Sequence, residues 1–388
     1  MKPAPRQASP RALVQISYAG MFLFGLVLLL MGSLLPLLPR LNPIEVGILG
    51  SIPLLGILIS TVFTGPLLDR WGARPVLSAG LLLVAAGLAA LPWLAGFRAL
   101  EAAAFLYGLG GGVLNTATNA LVSILSAAGR GAALNRLGAC FSLGALAAPL
   151  LMLALLSLTP HPAPLALSVL ALLALLLALS VLARRFPAVP PQNARAGLSA
   201  LRYPIVWVMG VLLLFESGNE NAMFNWAGRL AQLAAGASTR QAEWLLIGLT
   251  AALGAGRLLA GFRLQALRNR TLLGASAALL AAGALLGWFA PAAPRPLLAL
   301  SAALLLLGLG MAMVYPTVLG IAGDRFPAST GTIFSALMTL GLVGGWLATR
   351  FSGHLAAPRP THVLAIPLAD AAALALLGWL ITRPAKGE

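Results

Sequence analysis

Apolar runs of membrane-crossing length follow one another along this chain, and short charged or proline-rich turns separate them. A helix needs about 20 apolar residues to cross the hydrocarbon core of a bilayer, and the pattern predicts twelve such helices. The first helix is read from a charge-free run of 21 residues, Tyr18 to Leu38. Helix 2 covers Val46 to Leu68 after the turn PRLNP, and helix 3 runs from about Val76 to Phe97. Helix 4 follows Arg98 and Glu101 and ends near Gly129. Leu137 to Ala183 is 47 residues without a charge, too long for one crossing. The prolines of TPHPAP at 159–164 divide it into helices 5 and 6, because clustered prolines cannot continue a helix. Residues 184–202, with four arginines and three prolines, read as the one long internal linker. Helices 7 to 12 are expected to begin near Tyr203, Glu243, Thr271, Pro296, Phe326 and Thr361. The expected fold is an all-α polytopic membrane protein: a six-helix bundle in 1–183, a cytoplasmic linker, and a second six-helix bundle in 203–388.

Composition narrows the class. Of 388 residues, 60% are hydrophobic and only 9% charged, against about 25% charged in average soluble domains. Soluble classes are excluded. A net charge of +16 would suit a nucleic-acid binder, but the basic residues sit in short clusters between apolar runs, the positive-inside pattern. With both termini and the linker in the cytoplasm, 18 of the 25 basic residues lie inside and 7 outside. The basic N-terminus, with Lys2, Arg6 and Arg11, precedes a run longer than a signal-peptide core with no cleavage site after it. It reads as a retained first helix of a multi-pass protein of the cell membrane. The lone Cys140 allows no internal disulfide, and His161, His354 and His362 have no metal-ligand spacing. No metal, cofactor or nucleic-acid partner is expected; lipids are, and a monomer.

The two bundles are related by an internal repeat. GPLLDRWGARPVL at 65–77 aligns without gaps to GFRLQALRNRTLL at 261–273, an offset of 196. Gly65 then matches Gly261 and Arg74 matches Arg270, while Gln265 replaces Asp69. GLGGGVLNTATN at 108–119 aligns to GLGMAMVYPTVL at 308–319, an offset of 200, and SLGAL at 142–146 to TLGLV at 339–343, an offset of 197. Parallel repeats of this kind mark a large class of secondary transporters.

The turn in the first of these repeats carries further information. Gly65 has no side chain and admits a neighbouring helix. Asp69 at the membrane edge suits the positive end of another helix. Arg70 and Arg74 suit the headgroup layer; alternatively the whole stretch is a solvated anchor. Gly65, Asp69, Arg70, Gly72 and Arg74 together spell G-x-x-x-D-R-x-G-x-R. This resembles the loop between the second and third helices of the major facilitator superfamily. The resemblance implies that Asp69 latches the two halves when the outside is open.

The polar residues inside the spans are the candidates for chemistry, because an ionisable side chain there costs about 2.5–3.5 kcal/mol on insertion scales. Helix 7 contains LLLFESGNENAMFNWAGRL at 212–230. Glu216 and Glu220 are four apart and share a face, with Asn219 and Asn221 nearby and Asn225 and Trp226 following. Two nearby carboxylates do not both ionise cheaply, which suits a proton carrier. Amides beside them suit a hydroxyl-rich ligand, and an aromatic face suits a sugar ring. The structural alternative pairs one Glu with an arginine such as Arg229. In helix 4, Asn115, Thr116, Thr118 and Asn119 either contact substrate or hold helices together. Helix 10 has Tyr315, Pro316 and Thr317 at the equivalent place; the proline is expected to loosen the backbone and Tyr315 to line the cavity. Arg257 in helix 8 reads as an inner-gate pairing or snorkelling residue. Asp370, three residues after Pro367, reads as a helix-start residue of helix 12.

LNTATN, FSLGALAAPLL, Gly218 to Glu220, and GLGMAMVYPT resemble the fucose/glucose/galactose–proton symporter branch of the superfamily. That branch reads an acidic residue where this chain has Asn115, and another in helix 1, where FLFGLVLLLMGSLLPLL has none. The resemblance therefore leaves proton coupling to Glu216 or Glu220. It implies a non-enzymatic secondary transporter for a small polar solute, a sugar foremost, working by alternating access. Substrate contacts are expected at Asn115, Thr118, Asn119, Asn219, Asn225, Trp226 and Tyr315. Efflux of amphipathic compounds is the competing reading, favoured by the apolar helix 1. An intramembrane enzyme lacks any HExxH, nucleotide-binding glycine loop or Ser/His pairing, and a sensor lacks an appended soluble domain.

Overall fold

The computed structural model describes residues 10–94, 96–126, 130–184, 186, 201–262, 267–326 and 330–383. Among them are α1 (Pro10–Leu34), α2 (Pro43–Trp71), α3 (Ala73–Ala90), α4 (Phe97–Leu125), α5 (Arg130–Leu158) and α6 (Pro162–Leu182). The second half supplies α7 (Pro204–Ala235), α8 (Thr239–Phe262), α9 (Asn269–Phe289), α10 (Pro296–Met311), α11 (Val314–Arg325), α12 (Thr330–Ala356) and α13 (Ala365–Ile381). Helices α10 and α11 make up one span, so the thirteen helices are twelve crossings. Among the described residues, ten spans are long and apolar enough to cross a membrane. The two long helices outside that set are α4 and α7. Helix α6 has no charged residue, and its Leu172, Leu173, Leu175, Leu176 and Leu179 are exposed. An apolar helix with leucines turned outward is soluble in lipid, not in water.

Local chemistry sets the helix ends. α6, α7 and α10 each open with proline at the first helical position, where its missing N–H is no loss. α2 opens on a reciprocal box: Asn42 N–H donates to Glu45 Oε2 and Glu45 N–H to Asn42 Oδ1, both at 2.9 Å. α8 opens the same way 196 residues later, with Ser238 N–H donating to Gln241 Oε1 at 2.8 Å and Gln241 N–H to Ser238 Oγ at 3.3 Å. This cap starts α8 four residues before the expected Glu243, which becomes a fully buried residue of the second turn. α3 ends at Ala90, short of the expected Phe97, because Pro92 turns the chain into a short 3-10 segment. Arg98 and Glu101 lie inside α4, paired at 2.9 Å. The last helix likewise begins with a 3-10 turn at Pro360–Leu364 before α13 proper.

The described residues form two compact units: those of Met1–Leu34 with Ile52–Gln192, and those of Leu35–Ser51 with Asn193–Glu388. In the first, α1 packs along α5 and α4, and α3 along α4 and α6. In the second, α7 packs along α12 and α10, and α9 along α10 and α13. The repeat is visible in single contacts. A methyl on Gly108 of α4 would strike the Pro53 backbone, and one on Gly308 of α10 would strike the Leu249 carbonyl, 196 residues on from Pro53. Gly110 meets Val84, and Gly310 meets Leu280, again 196 apart. Close approach of this kind is what small residues permit between membrane helices.

The break between α10 and α11 has a local cause. Pro316 has no N–H to give to the Ala312 carbonyl, and its ring crowds that carbonyl. The helix stops at Met311 and restarts at Val314, with Thr317 N–H bonding Met313 O at 3.1 Å.

Candidate functional site

α7 is the helix on which polar side chains gather. At 100° per residue, Asn219, Glu216 and Glu220 fall within one face about 100° wide, while Asn221 and Asn225 lie on the other side. The contacts follow this division. Glu216 and Asn219 are fully buried. The Asn219 amide donates to Asp370 Oδ2 of α13 at 2.9 Å, and the Glu216 carboxyl lies within hydrogen-bonding range of Asp370. Glu220, half-buried, pairs with Arg257 of α8 at 3.2 Å. Tyr315 of α11 is half-buried on this same side, its hydroxyl against Gly341 of α12. On the far side, Asn221 donates to Ser217 O at 2.8 Å and Asn225 to Asn221 O at 2.8 Å, and the Asn225 amide abuts Gly50.

Three expectations change here. Asp370 does not serve at a helix start: it is the sixth residue of α13 and fully buried. The helix begins further back than Pro367 alone indicated, so Asp370 has turned inward onto α7. Arg229 pairs with neither Glu; its guanidinium donates to the Pro39 and Leu41 carbonyls at 3.1 and 3.0 Å, alongside Gln232, which donates to Pro36 O at 3.0 Å. Trp226 is fully buried and donates to Ser352 Oγ at 2.6 Å, so its ring is packed within the second unit. Sequence reasoning missed Asp370 as a partner of α7. An acid set among PLADAAALALLGWL was the available signal.

In the first unit, Asn119 donates to Asn115 O at 2.9 Å and both are half-buried. Thr118 is buried, donates to Leu114 O at 2.8 Å, and sets its methyl beside Gly20 of α1. The charged turn is built on Gly72, the only residue between α2 and α3, with φ +79°; a side chain is strained there. Arg74 donates to the Leu182 carbonyl at the end of α6, a cation at a helix C-terminus. Asp69 and Arg70 are exposed. An added methyl at Gly65 meets nothing within 4 Å, so the close approach expected there is not made among the described residues. Gln265, the counterpart of Asp69, lies outside them.

The chain matches the description Major Facilitator Superfamily over residues 14–349. It is a member of that superfamily. Among solved structures, a D-xylose–proton symporter aligns with a TM-score of 0.81 at 16% identity, over 97% of this chain and 99% of that one. The xylose transporter XylE from E. coli, in a partially occluded inward-open conformation, aligns with a TM-score of 0.74 at 14% identity, over 96% and 98%. The nucleoside transporter NupG aligns with a TM-score of 0.74 at 14% identity, over 96% and 98%. At such identities the likeness is one of fold. No curated protein matches the chain in sequence. The superfamily assignment makes the chain a multi-pass membrane protein of transporter type.

Proposed function

We propose that this member of the superfamily is a secondary active transporter that moves a small polar solute, a sugar ahead of other classes, by alternating access, with a proton as the coupling ion. The observation that carries the reading is α7: a fully buried Glu216 and a half-buried Glu220 on one face of a membrane helix, with only Glu220 matched by an arginine among the described residues. Placing such groups in a span is costly, and a carboxyl that takes and releases a proton gives that cost a use. Half-buried hydrogen-bonding groups, Asn115 and Asn119 in one unit and Asn221 and Tyr315 in the other, supply the donors and acceptors a hydroxyl-rich solute needs. Asn219, Trp226 and Thr118 support these groups from within the packing. The fold likeness to a xylose–proton symporter and a nucleoside transporter supports a solute containing a sugar.

A second reading, export of amphipathic compounds, draws on the first unit, where no charged side chain is buried among the described residues. A thermal-shift screen followed by liposome uptake separates the two. A ligand that binds only the folded state raises the melting temperature by mass action. Stabilisation by a pentose, hexose or nucleoside, with uptake driven by an inward proton gradient, supports the first reading. Stabilisation by lipophilic cations alone, with outward transport, replaces it by the second.

A further inference from the structure

Three acidic side chains gather on α7 and α13, and of these only Glu220 is ion-paired among the described residues. Glu220 has Arg257 at 3.2 Å. Glu216 and Asp370 have each other, and both are fully buried. Their oxygens are sorted by Asn219. Its amide donates to Asp370 Oδ2, which leaves Asp370 Oδ1 without a hydrogen-bond partner. Both oxygens of Glu216 and Oδ1 of Asn219 also lack one. Four buried acceptors that no donor among the described residues reaches are not a stable arrangement: a buried unsatisfied polar atom costs about 1–3 kcal/mol, and more when charged. Two carboxyl groups within hydrogen-bonding range that make no hydrogen bond lack one component, a hydrogen.

We propose that Glu216 and Asp370 bind a single proton between them, so that an O–H···O hydrogen bond from one carboxyl to the other bridges α7 to α13. The balance is one proton gained from water and one carboxylate neutralised; the other carboxylate accepts. Asn219 is the positioning residue, holding Oδ2 of Asp370 so that Oδ1 is the oxygen left to share. The remaining titratable or charged groups that bear on the pair are Glu220 from α7, Arg257 from α8 and Tyr315 from α11. α10 contributes none, nor does α12 from Thr330 to Thr349. On α9 the sole one is Arg270 in the first turn, and His362 of the preceding 3-10 turn stacks on Trp288. Arg257 is engaged by Glu220, so the shared proton is the cation left to the pair. Loss of that proton sets two carboxylates against each other across the α7–α13 contact. The site therefore joins proton release to a change in how these two helices pack. The inference rests on the proposed proton coupling for its place in transport, and proton binding itself is tested apart from any solute.

The test is infrared difference spectroscopy of the full-length protein in liposomes, titrated from acid to alkaline buffer in potassium salt. Glu216→Gln and Asp370→Asn each supply an amide hydrogen where the proton sat. Each is expected to remove the same single carboxylic-acid carbonyl band, and the double variant to remove no second one. Glu101→Gln, in the first turns of α4 and paired with Arg98, leaves that band in place. Two separate bands lost in the double variant, or none lost in Asp370→Asn, overturns the sharing. Displacement of the proton band by sodium makes this a metal-cation site and overturns it too. Carbodiimide labelling of the unsubstituted protein, mapped by peptide mass, needs no variant to fold: modification of Glu216 or Asp370, not both in one molecule, is expected, and modification of neither overturns it. Solute exchange in the same liposomes is read independently. Exchange without the shared band sinks the inference and leaves the transporter reading intact; the band without exchange of any sugar or nucleoside does the reverse.

Discussion

The two six-helix units share a scaffold and differ in what they bury. The same helix pairs pack in each, and Gly108 and Gly110 of α4 make the contacts that Gly308 and Gly310 of α10 make. Among the described residues the first unit buries hydroxyls but no charge, whereas the second buries Glu216, Arg229, Glu243 and Asp370. Backbone crossings have been duplicated, and the electrostatics have not. Because an ionisable group inside a span is costly, this asymmetry puts the energetically expensive burial in one half.

Substitutions in matched pairs test that contrast. The largest effect is expected from the acids: Glu216→Gln and Glu220→Gln each cut gradient-driven accumulation by roughly tenfold or more, the loss of an interaction worth at least about 1.4 kcal/mol. Solute exchange should be hit far less. Wild-type accumulation by both would remove the second unit's special status. In the first unit, Asn115→Ala and Asn119→Ala should raise KM several-fold, as for a lost hydrogen bond of about 0.5–1.5 kcal/mol, and leave the gradient dependence as it was. Next come the shared crossings. Gly110→Val and Gly310→Val should each destabilise by about 1–3 kcal/mol through overpacking, read by thermal unfolding in detergent. A large difference between them would mean the scaffold is not equivalent after all. The caps are smaller: Glu45→Ala and Gln241→Ala should cost at most about 1 kcal/mol each, equally at the two helix starts. Asp69→Asn, whose counterpart Gln265 is already uncharged, should slow turnover without touching stability; an unchanged rate would reduce the motif to an anchor.

The crossings were legible because bilayer thickness sets a length that sequence displays directly, and Pro316 marked the interruption of the tenth span from its missing N–H alone. Boundaries were less legible. Ends defined by reciprocal caps fall outside the apolar runs, although Asn42-x-x-Glu45 and Ser238-x-x-Gln241 were present at the repeat's own offset. Facing direction was the least legible. That Asp370 turns onto α7, that Trp226 spends its N–H on Ser352, and that Arg229 reaches backbone carbonyls depend on which side of each helix meets a neighbour. Uniformly apolar sequences such as α13's give no periodic signal from which to read that side.

The segment 35–51 belongs by sequence to the first half and by packing to the second, where Arg229 and Gln232 hold the carbonyls of Pro36, Pro39 and Leu41, and where Gly47 fits against Gly353. A cut in the 184–202 linker therefore does not yield two self-sufficient pieces. The N-terminal fragment would carry a strip whose docking partners are on the other polypeptide, and the C-terminal fragment would have two polar side chains and a glycine seam left open. Co-produced fragments have in that strip a built-in recognition element, which makes this chain a natural subject for split-protein complementation.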